Sequence, residues 1–228
     1  LEKKNRSTFP YIINNILLLR VYEHKYLGLT ITQDLRWDSH ISIVTSAALR
    51  RLMFLRRHLR LAPAETKLIA YKTFVRPVLE YANIVWFPFS VTKINKLEGI
   101  QRKAIRFIYN KYRFSDSPTE FIKKAGILTL QNRAKLARLR FMYQLIHGEI
   151  KINTSKYISI AQTRLTRHTH SEMLDECSFH TDSFKYSFFP LAIREWNRLR
   201  PSILHCTSLD NFTVAVKEHL QGDNEYPV

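Results

Sequence analysis

The sequence predicts a mainly α-helical protein: a helical bundle with a small β-hairpin before it and a pair of helices at its C-terminal end. Three observations carry this expectation. Apolar residues recur at spacings of three and four across most of residues 39–147, the period of a helix with one buried face. Before residue 32 the pattern is different, with short runs rich in β-branched and aromatic residues on either side of Asn14-Asn15. A hydrophobic content of 45% over 228 residues is enough for a real core and excludes a wholly disordered chain.

Residues 11–13 and 16–19 read as strands, because Asn tolerates the positive φ that a two-residue hairpin turn needs. The run Tyr26-Leu27-Gly28-Leu29-Thr30-Ile31 is also β-rich, and its central glycine suggests a bulge or a close backbone approach. A two-stranded hairpin is marginal in water by itself. Its apolar face is therefore expected to lean on the first helices.

After Trp37 the period becomes helical. Ile41, Val44, Ala48, Leu52, Leu55 and Leu59 form one stripe, Arg50 and Arg57 share another face, and Asp38 or Ser39 can cap the start. Ala62-Pro63 breaks the pattern. A second helix is expected over 64–75 and a third over 77–86, opening at Pro77 and stopping before Pro88. A fourth covers about 92–112, with Leu97, Ile100, Ala104 and Phe107 buried and Lys96, Arg102, Lys103 and Arg106 on a basic face.

Ser117-Pro118-Thr119-Glu120 has the pattern of a capping box, starting a short helix that Gly126 ends. The next long helix, about 130–147, carries Leu136, Leu139, Tyr143 and Ile146 on one stripe and Arg133, Lys135, Arg138 and Arg140 elsewhere on its surface. Residues 149–183 lose periodicity and read as a long, partly ordered connection. Two final helices are expected near 189–199 and 208–220, the second capped by Ser208. The implied organisation is a hairpin region (1–37), a basic helical bundle (38–148), the connection (149–183) and a C-terminal helical region (184–228). No internal repeat is evident.

Charge narrows the function. Lys and Arg number 36 against 19 acidic residues, and the net charge of +17 fits a polyanionic partner, most simply nucleic acid. A basic protein with no such partner is the competing reading. The charge is concentrated: residues 50–113 carry 15 basic residues against Glu65, Glu80 and Glu98, whereas the sign reverses after Pro201. The basic field therefore belongs to the bundle. A basic helical face is usually just solvated, but successive helices repeat the pattern here, which favours a contact surface. Trp86 and Trp196 are expected to anchor cores rather than stack on bases.

Only Cys177 and Cys206 occur, which excludes a disulfide framework and points to a reduced, intracellular setting. No apolar run approaches the ~20 residues that span a bilayer, so no membrane partner is expected. The chain opens on Leu1, not Met, and a fragment or processed product is expected.

Catalytic constellations are not found. Two-metal phosphoryl transfer needs paired carboxylates, and Asp34, Asp38, Asp116, Asp175, Asp182, Asp210 and Asp223 include no adjacent pair. Five glycines in the whole chain leave no phosphate-cradling loop. His168, His170, Cys177 and His180 lie close together and have zinc-ligand chemistry, but the spacing matches no common finger, and surface histidines are the favoured reading.

Several runs in order resemble a known family. Tyr26-Leu27-Gly28 followed by Leu35-Arg36-Trp37-Asp38-Ser39-His40-Ile41, then RPVLEYANIVW (76–86), LEGIQRKAIRFI (97–108), Asp116-Ser117-Pro118-Thr119, and Ser187-Phe188-Phe189-Pro190 through Glu195-Trp196-Asn197-Arg198-Leu199 resemble the region after the palm of non-LTR, LINE-type (jockey-like) retrotransposon reverse transcriptases. The resemblance spans roughly 9–200.

By that resemblance Tyr26, Leu27 and Gly28 would belong to a primer grip, and the following helices to a thumb that tracks a template–primer duplex. Arg50, Arg57, Lys96, Arg102, Lys103 and Arg106, taken from the basic faces, are the candidate phosphate contacts. The palm's Asp-Asp pair and the endonuclease that commonly precedes the polymerase are not in this sequence. The chain is then expected to be non-catalytic as it stands and to hold no cofactor. Magnesium would belong to the missing palm. The implied partners are an RNA or DNA template–primer and the upstream palm, fingers and endonuclease regions. The implied compartment is the nucleus. A remnant without retained binding, and an active polymerase only when joined to its palm, are the alternatives.

Overall fold

In the computed structural model, residues 10–113, 116–161 and 172–222 are described. A mainly helical body follows a small N-terminal hairpin, as expected from the sequence, and a second antiparallel hairpin stands between them. In the first, β1 (Ile12–Ile13) pairs with β2 (Ile16–Leu17) across Asn14-Asn15, both in the left-handed region at φ 48° and 61°. This is the turn expected of Asn-Asn. All four strand residues are more than half exposed. The first hairpin thus does not lean on the helices, contrary to expectation.

The second hairpin pairs β3 (Glu23–Tyr26) with β4 (Leu29–Thr32). Gly28 lies not in a bulge but in its two-residue turn, with Leu27 at φ 45° and Gly28 at φ 82°. Leu29 and Thr30 are buried against the first long helix, α1 (Asp38–His58), so this hairpin is the anchored one. Thr30 N–H donates to His40 Nδ1 at 3.3 Å, fixing strand to helix.

The α1 stripe is buried as its spacing requires, from Ile41 to Leu55. Neither Asp38 nor Ser39 caps it: Trp37 is the cap residue and gives no side-chain bond, while the Asp38 carboxylate pairs with Lys93 at 2.8 Å. Beyond Pro63, α2 (Ala64–Ala70), a π-helical turn (Tyr71–Val75) and α3 (Arg76–Glu80) follow without interruption. Pro77 explains the widened turn. It has no N–H for the carbonyl four residues back, and its ring crowds that carbonyl. Arg76 N–H donates instead to Tyr71 O.

The expected single helix over 77–86 is broken at Tyr81-Ala82, with Ala82 left-handed at φ 50°, before α4 (Asn83–Trp86). The Tyr81 carbonyl freed there accepts from Trp86 Nε1 at 2.7 Å. Next, α5 (Val91–Tyr109) ends on left-handed Asn110, slightly short of the expected boundary.

The Ser117 side chain makes no capping bond to α6 (Pro118–Lys124). The C-terminal signal does act: Gly126 at φ 60° lets Ile127 N–H reach Ile122 O and Gly126 N–H reach Lys123 O. Helix α7 (Leu130–Ile146) is capped by Thr129, whose hydroxyl accepts from Asn132 N–H. Ile146, expected on the buried stripe, is exposed.

After residue 149 the described chain is irregular apart from a bridge between Ile160 and Leu174. In the C-terminal region a short helix α8 (Asp182–Lys185) precedes α9 (Phe188–Asn197), and α10 (Pro201–Leu204) joins α9 to α11 (Leu209–Gly222). Ser208 accepts from Asn211 N–H as its cap role predicts.

Apolar side chains fall in two clusters. The first gathers α1 to α6 around Trp86; the second gathers α9 to α11 around Trp196 and Phe212. Both tryptophans are fully buried. Helix α7 serves both clusters, Leu130 in the first and Leu139, Met142 and Tyr143 in the second.

Candidate nucleic-acid interface

The site is built on two helices that run side by side in the same direction. Lys93 pairs with Asp38 near the start of both, Lys96 Nζ donates to Ser42 Oγ at 2.9 Å one turn on, and Arg56 and Arg60 meet Phe107 and Asn110 at the far end. These contacts mark the solvent side of the α1–α5 seam.

On α5, Lys96, Gly99, Lys103 and Arg106 repeat every three or four residues along that side, with Arg102 flanking them. On α1, Ser42, Ser46, Leu49, Met53 and Arg56 do the same, Arg60 follows just beyond its end, and Arg50 and Arg57 lie about 60–80° further round the helix. Leu49, Arg50, Met53, Arg56, Arg57 and Arg60 line an open groove of about 1070 Å³. All six candidate phosphate contacts therefore lie on the outer faces of one parallel helix pair.

Their electrostatic surroundings differ from those of three arginines that flank the body's interior. Arg133 holds Glu80 through both nitrogens (Nη2 to Oε2 2.8 Å), Arg76 lies beside the same carboxylate, and Arg138 grips Glu195 at 2.6 and 2.9 Å. Arg133 and Arg138 are thus not the loose surface cations that the sequence suggests. By contrast, Arg50, Arg56, Arg57, Arg60, Lys96, Arg102, Lys103 and Arg106 form no ion pair among the described residues. Their bonds go to neutral groups: Arg102 to Asn95 O at 3.2 Å, and Arg106 to Arg113 O at 3.5 Å. Arg56 lies over the Tyr112 ring at 5.5 Å.

The one acid of α5, Glu98, is turned inward and buried. Its Oε1 accepts from Gln131 N–H at 3.0 Å at the start of α7, and Oε2 has no partner. Burial raises its carboxyl to about 7 in spite of the amide contacts and the nearby Arg102, so below that pH it is mostly neutral.

Tyr26, Leu27 and Gly28 form the exposed tip of the second hairpin. The Tyr81 ring lies beneath Gly28, where an added Cβ would stand 3.2 Å from Cε1, and the Tyr81 hydroxyl donates to Leu27 O at 3.1 Å. A cleft of about 410 Å³ separates the hairpin from α1 and α3, with Ile43, Ala47 and Arg51 on its α1 wall. Arg50 and Arg57 stand between that wall and the α5 seam. The hairpin tip and the basic helix pair are thus adjoining parts of one surface.

Sequence reasoning missed Arg56 and Arg60, although their spacing from Ser42 and Ser46 places them on the seam. It also missed Tyr112, which no periodicity marks. His168 and His170 lie outside the described residues. Among the described residues no group of three His, Cys, Asp or Glu could hold a metal ion, and no helix is long and apolar enough to cross a membrane. Cys177 and Cys206 are both free thiols.

No family model, curated protein or solved structure matches the chain.

Proposed function

We propose that this chain binds a nucleic-acid duplex through its sugar-phosphate backbone, along the α1–α5 face, as a non-catalytic thumb-like part of a LINE-type RNA-directed DNA polymerase. One observation carries the binding reading: seven cations on two adjacent parallel helices, with Arg60 just beyond the first, gather on one surface and form no ion pair among the described residues. Unpaired cations sharing one surface raise the local concentration of a polyanion and exchange its counterions for protein contacts. Nothing on this face offers the planar, buried recognition of base edges, so binding would follow backbone geometry more than sequence. The polymerase assignment rests on the ordered resemblance of the sequence runs. The palm would supply chemistry and magnesium, this chain would hold the template–primer, and the nucleus would be its place of action.

Salt dependence tests the interface. The double variant Arg57→Ala/Lys103→Ala removes two exposed cations and no core contact. Its affinity for an RNA–DNA hybrid should fall, and the slope of log affinity against log salt should flatten by about 2. Lys217→Ala, on α11, should leave that slope unchanged. Equal slopes for wild type and the double variant would remove the α1–α5 face from the interface.

A further inference from the structure

The phosphate-binding face ends at a cavity built from different chemistry. A pocket of about 480 Å³ lies between the start of α5, the segment before α1 and the short helix α8. Its walls include the rings of Trp37, Phe87, Phe89 and Tyr186. Arg36 and Lys93 also line it, ion-paired with Asp34 at 3.6 Å and Asp38 at 2.8 Å, and Asp182 and Ser183 add hydrogen-bonding groups. The volume is that of a small-molecule-sized site, where about 300–1,000 Å³ is usual. Lys93 is one helical turn from Lys96, so the pocket adjoins the cationic stripe of α5.

Trp37 singles the pocket out. Trp86 Nε1 donates to Tyr81 O at 2.7 Å and Trp196 Nε1 donates to Glu172 O at 3.2 Å. Trp37 is half-buried, lines the pocket, and its indole N–H makes no hydrogen bond among the described residues. Phe89 stacks on Tyr186 with centroids 4.0 Å apart and planes 8° from parallel, a double-ring slab with Phe89 half exposed. Trp86 and Trp196 anchor cores; this cluster instead opens to solvent beside lysine and arginine.

We infer that this pocket takes the base of one unpaired nucleotide of the strand held on the α1–α5 face, against its aromatic walls. Aromatic faces beside a cationic track are the general means of holding single-stranded nucleic acid, because every base offers a π-face whatever its sequence. The amino and carbonyl edges of a base would meet Asp182, Ser183 and the Trp37 N–H. The inference rests on the duplex-binding reading and adds a strand end to it.

The test compares a blunt RNA–DNA hybrid with the same hybrid carrying an unpaired oligothymidine tail, by fluorescence anisotropy at fixed salt. The tail is expected to tighten binding about tenfold, the scale of stacking one base. Phe89→Ala and Trp37→Phe should each lose much of that gain while leaving blunt-hybrid affinity unchanged. Phe89 is half exposed and Trp37→Phe keeps a ring, so the fold should hold; circular dichroism verifies this. Equal affinity for tailed and blunt hybrids, with blunt binding intact, overturns the pocket and leaves the duplex reading standing. So does a tail advantage that survives both substitutions. Absence of binding to either hybrid at low salt overturns both readings.

Discussion

At the scale of single residues, Glu98 has the most consequential environment. Its carboxyl is raised from 4.5 to about 7 by burial, with Oε2 unpartnered. Between those values the folded state binds the proton and the unfolded state does not, so stability falls as pH rises from 4.5 through about 7. The loss is on the order of 3 kcal/mol. Glu98→Gln keeps the acceptor for Gln131 N–H and removes the ionisation. The variant should gain on wild type as pH is raised from 5 to 8, read by urea denaturation at each pH; a constant difference would show that Glu98 ionises as freely in the fold as outside it. Gly28 is the other residue with a definite cost. Alanine at φ 82° beneath the Tyr81 ring should destabilise by about 1–2 kcal/mol and lower Tm by several degrees. The sequence signals a close approach at Gly28 but cannot name Tyr81, which comes from a break 54 residues beyond Leu27. Glu98 is similarly hidden: on the helical wheel it adjoins the basic face, and only the position of α7 turns it into a capping group.

At the scale of elements, legibility followed how local the cause was. The Asn14-Asn15 turn, the α1 and α5 stripes and the Gly126 stop depend on neighbours in sequence, and all appear as read. The cap assignments at Asp38 and Ser117 failed because capping requires a side chain to stay near its own backbone, and Asp38 instead finds Lys93. The π turn before Pro77 and the left-handed Ala82 were not legible, since continuous apolar periodicity masks both. The outward set of the first hairpin was misread for a related reason: its strands are apolar on both faces, and both faces stay exposed. From this exposure follows a prediction at the element scale. A chain beginning at Tyr22 should keep the Tm of the full chain within about 2 °C, because β1 and β2 pack chiefly on each other. A large drop in Tm would mean that the exposed strands support the body.

At the scale of the whole molecule, α7 decides whether the two apolar clusters act as one. It ties to the first through Arg133 and Glu80 and, five residues on, to the second through Arg138 and Glu195. Both ties use a two-pronged guanidinium–carboxylate contact, and the second is nearly dry, with Arg138 and Glu195 side chains only 6% and 12% exposed. A buried pair adds little net stability over apolar residues, yet removing one partner strands the other charge at a cost of about 3–5 kcal/mol. Arg138→Ala should therefore be severely destabilising. Arg138→Ala/Glu195→Ala should recover part of the loss, because no charge is left stranded. Calorimetry then reads the coupling directly. With α7 rigid and shared, wild type should melt in one transition, and Arg138→Ala should lower that transition as a whole if the clusters are inseparable. Splitting of the Arg138→Ala melt into two steps would show that the basic face and its first cluster fold without the C-terminal helices. The α1–α5 interface would then be complete in residues 22–146 alone.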